Sequence, residues 1–274
     1  MARLRGGRRE TTGGAIGAMV FPPLAEALIS AEGWRWAYAI LGAMILAVGL
    51  PLGYFVRQRP TEARIQNTIV TGVSAAEGLR SRIFWIIVVM LFAVSLSQNG
   101  AITHLSALLT DRGISPGRAA WAMSAMGAAI LGGRMITGWL LDRYFASRVA
   151  FCLLAITALG TFLLAGAQSL AMGIAGAVLI GFGMGGEGDV TPYLVAKYFG
   201  LRSFATLYGF TWTAYAIAAA IGPVILGKAF DATHSYRALL SQLASLTLGA
   251  AVLMLFLPKY RKNASTDSLT VGVR

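Results

Sequence analysis

Apolar residues run through this chain in long blocks separated by short polar breaks, with none of the two-residue alternation of a half-buried strand. Blocks of about 20 residues, long enough at ~1.5 Å per residue to cross a bilayer as helices, fall at roughly 12–30, 35–56, 83–108, 117–141, 147–167, 169–195, 203–229 and 236–257. The first is the weakest, being short and holding Glu26. An even number of spans places both chain ends on one side. The only long polar connection, residues 57–82, separates two helices from six and marks a domain boundary: 1–56, a loop at 57–82, a six-helix unit at 83–258, and a tail at 259–274 whose Ser, Thr, Lys and Arg predict disorder.

Composition turns this pattern into a class. Of 274 residues, 57% are hydrophobic and only 12% charged, about half the charged share of a soluble domain, so the expectation is an all-α integral membrane protein. The net charge of +12 forms no continuous basic stripe of the kind that binds nucleic acid. It follows topology instead. One side takes Arg3, Arg5, Arg8 and Arg9, then Arg57, Arg59, Arg64, Arg80 and Arg82, then Arg143, Arg148, Lys197 and Arg202, and finally Lys259, Arg261, Lys262 and Arg274. The other side takes Arg35, Arg112, Arg118, Lys228 and Arg237, so both termini are expected to be cytoplasmic and the protein to lie in the plasma (inner) membrane. The basic start resembles a signal peptide, but Pro22, Pro23 and Glu26 interrupt the apolar run and no small-residue cleavage site follows closely, which predicts a retained span. The lone Cys152 sits in an apolar run and is expected to pack there. No phosphate-cradling Gly-x-x-x-x-Gly-Lys-Ser/Thr loop and no His-Glu-x-x-His motif occurs, and the chain holds two histidines, so neither an enzyme nor a cofactor or metal site is expected.

Arg134 changes the picture. It lies within the apolar stretch Ala119 to Leu141, where a guanidinium that keeps its proton needs an anionic partner or a wet cavity. Around it, the run Gly132 to Tyr144 contains Gly138, Asp142 and Arg143 in the spacing Gly-x-x-x-Asp-Arg. This resembles the signature at the cytoplasmic end of the second helix of a half in major facilitator superfamily transporters, and Gly33-Trp34-Arg35-Trp36-Ala37-Tyr38 resembles that family's outer turn between its fifth and sixth helices. The likeness covers roughly Thr12 to Pro258 and maps the spans onto helices five to twelve of the usual twelve, as in an N-terminally truncated member. Phe21-Pro22-Pro23-Leu24, Thr103-His104-Leu105, Asp111-Arg112-Gly113, Gly185-Gly186-Glu187-Gly188-Asp189 with Pro192-Tyr193-Leu194, and Tyr198-Phe199-Gly200 resemble the monocarboxylate and oxalate/formate branch.

The resemblance implies that Arg134 binds a substrate carboxylate, since two N–H donors of one guanidinium can meet two oxygens. The other reading is a permanent ion pair with Glu187 or Asp189. Proton-coupled relatives carry an aspartate one turn before this arginine, where Ile130 stands. Oxalate exchangers carry a second cation where Tyr215 stands, which favours a monocarboxylate over a dicarboxylate. Glu187 and Asp189, in the glycine-rich stretch Gly181 to Gly188, are candidates for a proton or gating site, the alternatives being a latch to Arg143 or a helix-dipole contact. The glycines predict close helix approach, bending or unwinding. Gln98 and Asn99 are candidate anion ligands, whereas His104 is assigned to the interface. Tyr208, Trp212 and Tyr215 form one aromatic face, either cavity wall or packing surface. Asp142 and Arg143 are assigned to conformational control, or simply to anchoring at the inner edge. Glu26 is expected at the outer surface.

The sequence thus predicts a partial major facilitator fold. The expected function is secondary transport of small organic anions, monocarboxylates first, by alternating access, with the lipid bilayer and the anion as partners. A rocker needs two opposing bundles, so the 274-residue chain alone is expected not to carry solute and to need a partner, such as a separate N-terminal bundle. Met1-Ala2-Arg3-Leu4-Arg5 suggests a misplaced start, a gene fragment or a split protein. The reading from another class is a non-transporting membrane subunit or anion sensor.

Overall fold

A computed structural model describes residues 20–55, 72–258 and 260. A helix covering residues 20–32, α1, is followed by α2, Trp34–Phe55; Gly33, at φ 80°, turns the chain between them. Then come α3 (Ala75–Arg80), α4 (Arg82–Thr110), α5 (Pro116–Arg143), α6 (Ala146–Gly166), α7 (Leu170–Phe199), α8 (Phe204–Thr233) and α9 (Arg237–Leu255). Seven of the described helices, α2 and α4 to α9, are long and apolar enough to span a membrane, and their limits follow the apolar blocks of the sequence closely. The first expected span falls partly on residues 12–19, which lie outside the described residues. The same holds for residues 1–11, most of the central loop (56–71), Lys259 and the tail beyond Tyr260.

Within the described part of the central connection, α3 was not anticipated. Its formation is local: Ser74 caps it, its hydroxyl accepting from the Glu77 N–H at 3.3 Å while the Glu77 carboxylate accepts from the Ser74 N–H at 2.8 Å. The segment before it is pinned to the loop between α7 and α8, Val73 N–H donating to the Phe199 carbonyl at 3.0 Å and the Ser203 hydroxyl to the Val73 carbonyl at 3.0 Å. Gly78 lies against Leu207 of α8 so closely that a side chain there would overlap it.

Helices α4 to α9 form the bundle. α7 lies between α5 and α6, α4 packs on α8 and α9, and α6 on α9, whereas α2 packs on none of α3 to α9 to any extent. Two large apolar clusters, with a small third one of Leu96, Ala218 and Leu243, fill the bundle. One joins Phe84, Ile87, Leu153, Leu194, Leu207 and Met254; the other, nearer the opposite end, joins Leu105, Leu108, Leu109, Ile180 and Leu240. Between them along the helices lies a polar layer of buried side chains: Ser95, Ser97 and Gln98 on α4, Thr157 and Thr161 on α6, Glu187 on α7. Ser97 and Thr161 hydroxyls meet across it at 3.3 Å. The hydroxyls of Thr157 and Thr161 are satisfied within α6, donating to the Leu153 and Thr157 carbonyls at 3.0 Å each.

Glycines set how closely the helices approach. On the α5–α7 seam, Gly181 faces the Met126 carbonyl, Gly185 the Ile130 carbonyl and Gly133 the Phe182 carbonyl, each leaving no room for a Cβ. The glycine-rich stretch therefore acts by close approach. α7 runs unbroken through it and through Pro192, so the unwinding allowed for by the sequence is not seen. Cys152, expected to pack within its apolar run, is exposed on α6.

Candidate functional site

Arg134 opens into a cavity of about 320 Å³ formed by α4, α5, α7 and α8. Its helix positions repeat by turns: Ile130 and Arg134 on α5, Met184, Glu187, Gly188 and Thr191 on α7, Tyr208, Trp212 and Tyr215 on α8, with Leu91 of α4 at the edge. The wall is mostly apolar and aromatic, with a few polar groups converging on it, which is the usual construction of a small-molecule site.

The guanidinium is lightly engaged. Nε lies 3.9 Å from Asp189 Oδ2, an ion-pair distance beyond hydrogen-bond range, and Nε itself has no hydrogen-bond partner. Nη2 rests against Gly188, 2.9 Å from where a Cβ would stand. Of the two carboxylates offered as Arg134 partners, Asp189 is the one that pairs; no ion pair to Glu187 occurs among the described residues.

Glu187 is buried, and neither carboxyl oxygen has a hydrogen-bond partner. The completely buried Gln98 amide faces it without a bond of good geometry, and Tyr215 is a further polar neighbour. Buried polar groups left unsatisfied cost about 1–3 kcal/mol each.

Asn99 is occupied elsewhere. Its amide donates to the Ser95 carbonyl at 3.0 Å and the Ser95 hydroxyl at 3.1 Å, and reaches the Tyr215 hydroxyl at 3.4 Å, while the Ser95 hydroxyl donates to the Tyr215 carbonyl at 2.8 Å. This strap fixes Tyr215 at the cavity wall. Of the expected ligands, Arg134, Trp212 and Tyr215 therefore line the cavity, while Gln98 and Asn99 stand behind it. Tyr208, Trp212 and Tyr215 are stacked edge to face in sequence, with centroids 6.1 and 5.0 Å apart.

The remaining candidates lie apart from the cavity. Asp142 and Arg143 are exposed at the end of α5, the Arg143 guanidinium stacked 3.9 Å over the Trp139 ring. His104 donates from Nε2 to the Pro223 carbonyl at 3.0 Å and packs on Tyr236, in the other half of the bundle. Glu26 accepts from the Ser30 hydroxyl at 3.3 Å and borders a shallow groove with Ser106 and Pro116.

Sequence reasoning missed Leu91, Met184, Gly188 and Thr191 as lining residues. Continuing the face of Glu187 by one turn in each direction would have found Met184 and Thr191. It also missed the work of Arg112, counted as a loop charge and as part of the Asp111-Arg112-Gly113 likeness. Its guanidinium donates to the Leu164, Ala165 and Ala167 carbonyls, closing the end of α6. Burial draws its pKa below the ordinary arginine value, Arg237 adds to this and Asp111 opposes it.

The Major Facilitator Superfamily model matches residues 10–223 and, overlapping, 87–271. The chain belongs to this superfamily. Similar proteins include the uncharacterized transporter YycB of Bacillus subtilis, 27% identical over 229 residues, covering 81% of this chain and 54% of that protein. Monocarboxylate transporter 12 of Homo sapiens is 22% identical over 261 residues, covering 83% of this chain and 51% of the other. The crystal structure of the E. coli fucose:proton symporter overlays with a TM-score of 0.56 at 18% identity, covering 85% of this chain and 58% of that one, a likeness of fold alone. This superfamily member spans about half the length of the curated relatives it matches. It is a multi-pass membrane protein of a transporter family.

Proposed function

We propose that this chain supplies the carboxylate-recognising half of a secondary transporter of small organic anions, monocarboxylates first, working by alternating access in the plasma membrane with both termini cytoplasmic. The observation that carries the proposal is the lightly engaged Arg134 guanidinium at the wall of an apolar cavity. An incoming carboxylate takes the N–H donors that Asp189 leaves unspent, and the aromatic face of α8 covers its aliphatic part. Arg134 is the only cation among the described lining residues, and Tyr215 stands where a second would serve a dicarboxylate. One charge matched to one carboxylate supports the monocarboxylate reading, as does the likeness to a protein named a monocarboxylate transporter.

Glu187 serves as the proton or gating group. Anion binding at Arg134 and the charge state of a carboxyl on the same wall are coupled electrostatically, so movement of a proton at Glu187 offsets the charge of the substrate. Asp189 holds Arg134 between turnovers, and Asp142 and Arg143 act at the helix ends as the halves rock. The six-helix unit at 83–258 is the domain that bears the site, with 1–56 belonging to the opposing bundle.

The experiment is uptake of labelled propionate into vesicles in which this chain is joined by an opposing bundle, since the chain alone is expected not to carry solute. Arg134→Ala abolishes uptake and Arg134→Lys removes most of it; uptake near the unsubstituted level in Arg134→Ala would sink the proposal. Saturable binding without flux, beside a flux-competent full-length relative, would mark the chain as an anion-sensing subunit instead.

A further inference from the structure

The junction of α3 and α4 carries a second feature, which shares no lining residue with the cavity. Arg80 ends α3 and Arg82 begins α4, both exposed, and neither has an ion-pair partner among the described residues. Directly below them runs a groove of about 260 Å³ between α4 and α9, lined by the two arginines, Trp85, Ile86, Val89 and Leu253. The apolar stretch of α4 starts at Ile83, so the guanidiniums stand at headgroup depth and the groove descends into the hydrocarbon. Trp85 is held there, its indole N–H donating to the Leu79 carbonyl at 2.9 Å. Trp85 and Val89 are one turn apart on the face turned to the groove, and both are well exposed.

We propose that this groove is a binding site for an anionic phospholipid. The charge complementarity is specific: two guanidiniums in a row meet one phosphodiester, and an acyl chain follows Trp85, Val89 and Leu253 down the seam of α4 and α9. A zwitterionic headgroup brings its own cation and gains less. Because α3 is fastened to the loop between α7 and α8 through Val73 and Ser203, the lipid clamps the central connection to the bundle at the end where α4 begins.

The test is quenching of Trp85 fluorescence by brominated lipids in vesicles holding the full chain, Trp85 being isolated by subtracting the signal of Trp85→Phe. Brominated phosphatidylglycerol should quench Trp85 at lower mole fraction than brominated phosphatidylcholine, each arginine contributing roughly five-fold to the preference. Arg80→Gln with Arg82→Gln should bring the two lipids level, and Arg80→Lys with Arg82→Lys should retain most of the preference. Added inorganic phosphate should not relieve the quenching. Equal quenching by the two lipids in the unsubstituted protein, or an undiminished preference in the Gln variant, would overturn the proposal. Circular dichroism of each variant separates loss of the site from loss of the fold.

Discussion

Arg134 Nη2 lies 2.9 Å from the point where a Cβ on Gly188 would stand, so the missing side chain at 188 is what allows the guanidinium to lie against α7. Three residues, from Gly185 to Gly188, separate two different uses of glycine on that helix. At Gly181 and Gly185 the neighbour is the backbone of α5, which cannot yield; at Gly188 it is the end of a long side chain, which can.

Gly188→Ala is therefore expected to fold normally and to bind carboxylate more weakly, because Arg134 is pushed off its resting place. Gly185→Ala is expected to lose about 1–3 kcal/mol through overpacking against Ile130. Thermal unfolding in detergent, followed by propionate titration, separates the two. An unstable Gly188→Ala protein or a fully stable Gly185→Ala one would contradict this account.

Glu187→Gln keeps the shape of the cavity wall and removes the capacity to carry a proton. With the chain joined by its opposing bundle, propionate uptake driven by an imposed pH gradient should be lost, while exchange of internal for external propionate at equal pH should persist. Retained gradient-driven uptake would take the proton role away from Glu187.

Much of the fold was legible because one physical requirement, crossing the bilayer, writes long apolar blocks into the chain, and the limits of α2 and α4 to α9 follow those blocks. Arg134 was legible for the same reason, as the charge that breaks a block. The rest depended on which residues face each other. Spacing alone could not tell that Asn99 turns its amide to Ser95 and Tyr215 while Tyr215 faces the cavity, nor that Arg143 stacks on Trp139. α3 escaped because six residues in a polar stretch carry too little periodicity to register, although Ser74 and Glu77 stand at capping-box spacing.

That capping box makes α3 sensitive to acid. Hydrogen bonds from the Ser74 backbone N–H and hydroxyl hold the Glu77 carboxyl below its ordinary value, with Arg202 adding to the effect. A lowered folded-state value means that the stabilisation is complete above the unfolded-state value and fades as pH falls through the folded one. Hydrogen exchange of residues 75–80 should accelerate, relative to the intrinsic rate, as the carboxylate titrates, and Glu77→Gln should show weaker protection at neutral pH. Protection that does not change with acid would refute the assignment.

Arg112→Ala uncovers the carbonyls of Leu164, Ala165 and Ala167 at the end of α6. Charge-assisted bonds of this kind contribute about 1.5–3 kcal/mol each before water replaces them, so a clear drop in the thermal midpoint is expected, with Arg112→Lys intermediate. Propionate binding at the distant cavity should be unchanged in protein that remains folded. An unaltered midpoint would show that water caps α6 equally well.

The central claim, that Arg134 receives the carboxylate, is tested most directly by calorimetric titration of the purified protein with propionate, since binding can be read whether or not the chain carries solute. The account predicts saturable binding, weakened at least about a hundredfold by Arg134→Ala and about tenfold by Arg134→Lys, as two charge-assisted hydrogen bonds are lost or reduced to one. Binding of equal strength in Arg134→Ala would contradict it.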